Sequence, residues 1–219
     1  MDVAPYYETI TSAVENDFCH KQNLGGAGEF ARIKLRIEPI TPGLFEFANE
    51  IKTEAVPADL TGGIENEIRK CVGILAGFQI TGVKVTAIEG AYHEIDSSAR
   101  VFRIAAAKAF LEGVRQAHPK IIMAIMRVHV RTPVDFLGGT IGDLKLRNGL
   151  VQTTVEDEAE VKEIEALIPA CNLEGYENCL EEMTQGRGSV SMTVDHYEDV
   201  SRHEPDPNFP GAMAMRVAG

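Results

Sequence analysis

Between Ile121 and Asp195 the spacing of apolar residues switches between two periods in a fixed order, and few folds accept that order. Residues 121–131 end as an alternating strand, Arg127-Val128-His129-Val130-Arg131. Thr132-Pro133 then predicts a helix start, with Thr as N-cap and Pro at the first position. That helix runs through Phe136, Leu137, Ile141 and Leu144 to a stop near Asn148-Gly149. Strands follow at about 150–157 and 161–169, joined by a solvated turn carrying Glu156, Asp157, Glu158 and Glu160. A second helix is expected over about 173–184, stopped by Gly186, and residues 189–195 alternate as a last strand. The order βαββαβ is the ferredoxin-like arrangement.

The first half is less regular. Strands are expected at about 9–22, 29–38 and 45–52, then a helix over 58–72 and an alternating strand over 79–88. The next residues, Glu89-Gly90-Ala91-Tyr92-His93-Glu94, form a tip that carries an aromatic ring and an imidazole where turn formers would be ordinary. Beyond it Val101, Ile104, Ala105, Phe110, Leu111 and Val114 recur at helical spacing. Asp96-Ser97-Ser98 offers a cap oxygen to that helix. A boundary near His118-Pro119-Lys120 separates two units of an α+β chain. Past Tyr197 a polar, proline-rich connector leads to a short apolar tail.

At 219 residues each unit can bury its own core. No apolar run approaches the roughly 18–20 residues that span a bilayer, and the N-terminus lacks a signal-peptide pattern, so a cytoplasmic location without membrane partners is expected. Cys19, Cys71, Cys171 and Cys179 form no C-x-x-C pair, which points to reduced, structural thiols. The net charge of −12 does not exclude nucleic acid. At physiological salt the screening length is about 8 Å, so carboxylates on a far face barely reach a local contact.

Several motifs dissolve on inspection. Gly26-Ala27-Gly28-Glu29-Phe30-Ala31 fits a dinucleotide pattern, but no apolar strand precedes it and a strand, not a helix, follows. It reads instead as a flexible loop able to approach a flat partner. No phosphate-loop signature occurs. His93 beside Asp96 and Ser97 lacks a nucleophile elbow, so no catalytic residues are assigned. The remaining histidines show no metal spacing. Gln185-Gly186-Arg187-Gly188 serves as a helix stop, yet its arginine is left exposed and able to reach a phosphate.

In order along the chain, these segments resemble the C-terminal part of bacterial elongation factor G. Tyr6-Tyr7-Glu8-Thr9-Ile10 is similar to the opening of that family's fourth domain. His20-Lys21-Gln22-Asn23-Leu24-Gly25-Gly26-Ala27-Gly28-Glu29-Phe30 and Tyr92-His93-Glu94-Ile95-Asp96-Ser97-Ser98 resemble its two tip loops, and Phe45–Ile51 with Val56-Pro57 its strand before the first helix. Ile141-Gly142-Asp143-Leu144, Met183-Thr184-Gln185-Gly186-Arg187-Gly188 and Asp195-His196-Tyr197 are similar to its fifth domain. The resemblance implies a ribosomal protein S5-like domain over 1–119, completed by 196–219, and a ferredoxin-like domain over 120–195. It implies that the tip loops contact tRNA and mRNA in the decoding region during translocation. The fifth domain would lie near the sarcin–ricin loop of the large subunit. Carried over by position, the implied ribosome-contacting residues are Gly25, Gly26, Gly28, Glu29, Tyr92, His93, Glu94, Asp96, Lys145, Arg147, Gln185 and Arg187.

The family's GTPase domain has no counterpart in this sequence, which reads as a fragment or a short relative. No cofactor is expected on it, since GTP and Mg belong to those other domains, and that GTPase domain is itself an expected partner. Departures are visible. Tyr7 replaces an arginine, Lys145-Leu146-Arg147-Asn148 replaces an arginine-rich run, and Glu181-Glu182 stands where many relatives have arginine-serine. Two other readings accompany translocation: a part of a ribosome-protection factor, and a protein-interaction module that kept the fold but lost the ribosome.

Overall fold

The computed structural model describes residues 3–24, 27–72, 78–156 and 161–200. Their contacts divide at 121/122, and residues 3–7 group with 122–200.

Strand β1 (Tyr6–Ile10) straddles the division, and in the unit 8–121 it is followed by a long hairpin of β2 (Val14–Leu24) and β3 (Ala27–Pro39). Then come β4 (Phe45–Asn49), helices α1 (Ala58–Thr61) and α2 (Ile64–Cys71), β5 (Gln79–Ile80), β6 (Val83–Ala91) and α3 (Ala99–Gln116). The main sheet runs β2-β3-β6-β4, with β4 and β6 parallel across the α1–α2 crossover and the other pairs antiparallel. Strict alternation in β3 decides its faces. Ala31, Ile33, Leu35 and Ile37 are fully buried, whereas Arg32, Lys34 and Arg36 point outward. The outward cations meet β2 carboxylates: Arg32 bonds Asp17, Lys34 approaches Glu15 at 2.8 Å, and Arg36 approaches it at 3.0 Å. Against the inner face lies α3, whose Phe102, Ala105, Ala106, Ala109, Phe110 and Val114 are fully buried; the small residues let the helix approach closely.

Three expected elements are divided, each for a local reason. The strand 9–22 breaks at 11–13, where Thr11 N and Ser12 N donate instead to Ala117 O at 3.1 and 3.2 Å. The helix 58–72 splits at Gly62-Gly63, consistent with the low helix propensity of glycine. The strand 79–88 turns at Gly82, whose φ of +70° favours glycine.

In the other unit β7 (Pro119–Pro133), α4 (Leu137–Leu146), β8 (Leu150–Glu156), β9 (Val161–Pro169), α5 (Tyr176–Met183) and β10 (Ser189–Asp199) follow in the expected order. Within residues 122–199 the strands are ordered β10-β7-β9-β8, each of these neighbouring pairs antiparallel, as a ferredoxin-like fold requires. Pro5 O accepts from Ala124 N at 3.1 Å, attaching the N-terminal residues to this unit. Thr132-Pro133 does not cap a helix. Both residues stay in the ladder opposite Lys162 and Val161, a 3-10 turn covers Val134–Phe136, and α4 begins at Leu137. The second helix likewise starts late, after Gly175 at φ +68°, and β10 runs on past 195 through a bulge between Val194 and His196. The acidic turn at 157–160 and the tail at 201–219 lie outside the described residues.

One buried group in the first unit opposes folding at neutral pH. Glu8 is 4% exposed, its Oε2 has no hydrogen-bond partner among the described residues, and burial pushes its carboxyl pKa up. The native state therefore keeps a proton that the unfolded chain releases above about pH 4.3, and stability falls as pH rises through that window. Glu8→Gln should equal the wild type near pH 4 and become progressively more stable toward pH 7 in urea unfolding. A variant deficit at pH 7 that persists at pH 4 would contradict this.

Candidate functional site

The tip of the first unit is built from two segments distant in sequence. Strand β3 enters from the hairpin end, and the loop 92–98 leaves β6 to reach α3. Four hydrogen bonds stitch the loop together and onto the strand. Phe30 N donates to Asp96 O at 2.9 Å, and Ser97 Oγ donates to Phe30 O at 2.6 Å. The same hydroxyl accepts from His93 N at 2.8 Å, while Ser97 N donates to His93 O at 3.0 Å. Ser98 then caps α3 by accepting from Val101 N at 3.3 Å.

Gly28 leaves the space that the Asp96 side chain occupies. A Cβ there would sit 2.5 Å from the Asp96 carboxylate, closer than any real contact. Glu29 also faces inward. It is 18% exposed and meets Nε2 of buried His20 at 3.1 Å and an Arg100 guanidinium nitrogen at 3.0 Å. The residue joins the hairpin to the first turn of α3. Gly25 and Gly26 lie outside the described residues.

The loop presents a different set outward. Tyr92, His93 and Glu94 are exposed, and Ile95 is 86% exposed despite its apolar side chain. His93 Nδ1 stands 3.2 Å from Asp96 Oδ2. Asp96 N also donates to that Nδ1 at 3.4 Å, so the ring is tied to Asp96 through Nδ1 and, among the described residues, Nε2 is the nitrogen left for a partner. Among the site residues expected from sequence, Gly28 and Asp96 are brought into contact, as are His93 and Asp96.

Lys145, Arg147, Gln185 and Arg187 belong to the other unit and do not form one patch. Arg147 is held by Asp143 at 2.8 Å and Asn172 O at 2.8 Å, and lies over the Tyr176 ring at 5.0 Å. It fastens the end of α4 to the start of α5. Lys145 on the same turn is exposed. At the opposite end of this helix pair Gln185 adopts φ +53° and Gly186 φ +76°, ending α5. Arg187 is exposed there, stacked over Phe136 at 4.8 Å. Helix α4 has ten residues, so about 15 Å separates the two ends. Glu181 and Glu182 are exposed near the negative end of α5.

The sequence pattern did not single out His20 as an internal tie of the tip, nor Arg100. Only the opposite charges of Glu29 and Arg100 could have signalled their pairing, and they are 71 positions apart.

The family model of elongation factor G domain IV matches residues 3–118, and that of the elongation factor G C-terminus matches residues 124–207. A crystal structure of a protein from Thermus thermophilus is similar at 29% identity with a TM-score of 0.80. The match covers 98% of this chain and 32% of that one, so the chain spans about a third of that protein's length.

Steric dependence at the tip can be measured as a double-mutant cycle. Gly28→Ala should cost up to about 1 kcal/mol, because the Asp96 side chain must turn out of its place. In an Asp96→Gly background the same substitution should cost less than half as much. Equal costs in the two backgrounds would show that Gly28 does not accommodate Asp96.

Proposed function

Since this chain belongs to the elongation factor G family and carries its fourth and C-terminal domains, we propose that it is the ribosome-contacting part of a translation factor. The tip of the 8–121 unit meets the tRNA–mRNA pair in the decoding region, and the 122–200 unit meets large-subunit RNA. The observation that carries this reading is the construction of the tip. Ser97 and the Phe30 backbone brace the loop 92–98 while Gly28 leaves room for Asp96, and the outward residues Tyr92, His93 and Glu94 have no part in the core. A loop braced that firmly loses little conformational entropy on contact, which favours binding.

Tyr92 offers a ring for stacking on a base, and His93 offers a nitrogen to a ribose hydroxyl or, when protonated, to a phosphate. In the other unit, exposed Arg187 and Lys145 supply phosphate contacts at the two ends of the α4–α5 pair, while Arg147 positions those ends. The chain needs no cofactor for this role. Chemistry on GTP belongs to a nucleotide-binding domain that this sequence does not contain, and that domain is the second partner. The sequence lacks a loop able to cradle phosphates of a nucleotide. Titration with a fluorescent GTP analogue should therefore give no saturable binding; micromolar affinity would contradict it.

His93→Ala is the sharper test. Exposed substitutions usually change stability by less than about 0.5 kcal/mol, so the melting temperature should stay near that of the wild type. Pelleting with purified bacterial 30S subunits should weaken several-fold. Undiminished pelleting would remove His93 from the interface, and a collapse in melting temperature would make it structural.

A further inference from the structure

Away from the outward face of the tip, α2 and α3 enclose a cleft of about 460 Å³ whose charge is opposite to that of the chain. Lys70, Arg100 and Arg103 line it against one carboxylate, Glu67, whereas the whole chain carries a net charge of −12. Among the described residues Arg103 makes no ion pair or hydrogen bond. Its side chain lies along the bare backbone of Gly63, where a Cβ would come within 3.0 Å of the Arg103 Cδ and 3.4 Å of its guanidinium. A Cβ at 63 would press the arginine stem aside by a few tenths of an ångström.

Of the other two cations, Lys70 is only loosely committed, whereas Arg100 is tied to the tip strand. Lys70 pairs with Glu67 at 3.2 Å, but its side chain is 71% exposed, and such surface pairs contribute little. Arg100 pairs with Glu29 at 3.0 Å while remaining 64% exposed. Through that pair the cleft is joined directly to the strand that braces the tip. The lining holds no aromatic ring on which a base could stack. Long, exposed cationic side chains without stacking groups suit a sugar–phosphate backbone, which positions a partner without reading its sequence.

We propose that the α2–α3 cleft holds a stretch of ribosomal RNA backbone, with Arg103 and Lys70 as its phosphate contacts and Arg100 linking that contact to the tip. This rests on the reading of the chain as a ribosome-binding factor. Arg103, without a partner among the described residues, is then kept for a phosphate, and the cleft adds affinity while the tip provides discrimination.

The test compares the full chain with Lys70→Gln/Arg103→Gln, which keeps most of each stem. Affinity for purified 30S subunits is measured between 50 and 200 mM KCl. Losing two phosphate contacts should weaken binding and reduce the log–log salt slope by about 1.4–1.8. The same loss should appear with protein-free 16S rRNA as the probe. Wild-type binding with an unchanged slope in the variant would overturn the cleft proposal and leave the ribosome reading standing. A loss seen on subunits but not on the bare RNA would assign the cleft to an acidic ribosomal protein, and overturn it too. Failure of the wild type to bind subunits would sink both readings. Unaltered circular dichroism and melting of the variant are the control for folding.

Discussion

Strand β3 is the constraint on which the first unit depends. It pairs with β2 on one edge and β6 on the other, and its alternation sends Ala31, Ile33, Leu35 and Ile37 beneath α3. A slip of one residue would exchange that apolar floor for Arg32, Lys34 and Arg36, so the register is fixed by burial. The same register sets Phe30 where its N–H and C=O receive the loop 92–98, and Gly28 where Asp96 needs space. Core packing and tip geometry are thus two ends of one strand.

Charge follows a similar logic. The chain is strongly acidic, yet many of its cations are matched locally: Arg32, Lys34 and Arg36 to β2 carboxylates, Arg127 to Glu165 and Asp195, Arg147 to Asp143. Arg103 and Arg187 stand apart, one lying along glycine backbone and the other stacked on Phe136. Because screening limits exposed charges to about 8 Å, these local exceptions matter more for an RNA partner than the total does.

The order of elements was legible because hydrophobic period is a local property, and the βαββαβ unit is read from it alone. The tip as a feature was legible too, since Tyr92-His93 is out of place in a turn. Roles within the tip were not. Glu29 and Gly28 look like loop residues until Arg100, His20 and Asp96 are brought alongside them. Arg147 looks like a free cation until the turn before α5 supplies a carbonyl and a ring. Thr132-Pro133 has the composition of a helix start, but pairing with β9 keeps it in the sheet.

Tethered cleavage tests the central claim most directly, namely that the braced tip faces the decoding region. With exposed Cys19 replaced by Ser, a Glu94→Cys variant would carry an iron chelate that generates hydroxyl radicals on the bound ribosome. The account predicts strand cuts in 16S rRNA confined to the neighbourhood of the decoding region and lost on competition with unlabelled protein. Cuts confined to other parts of either subunit, or none from a probe that demonstrably binds, would contradict it.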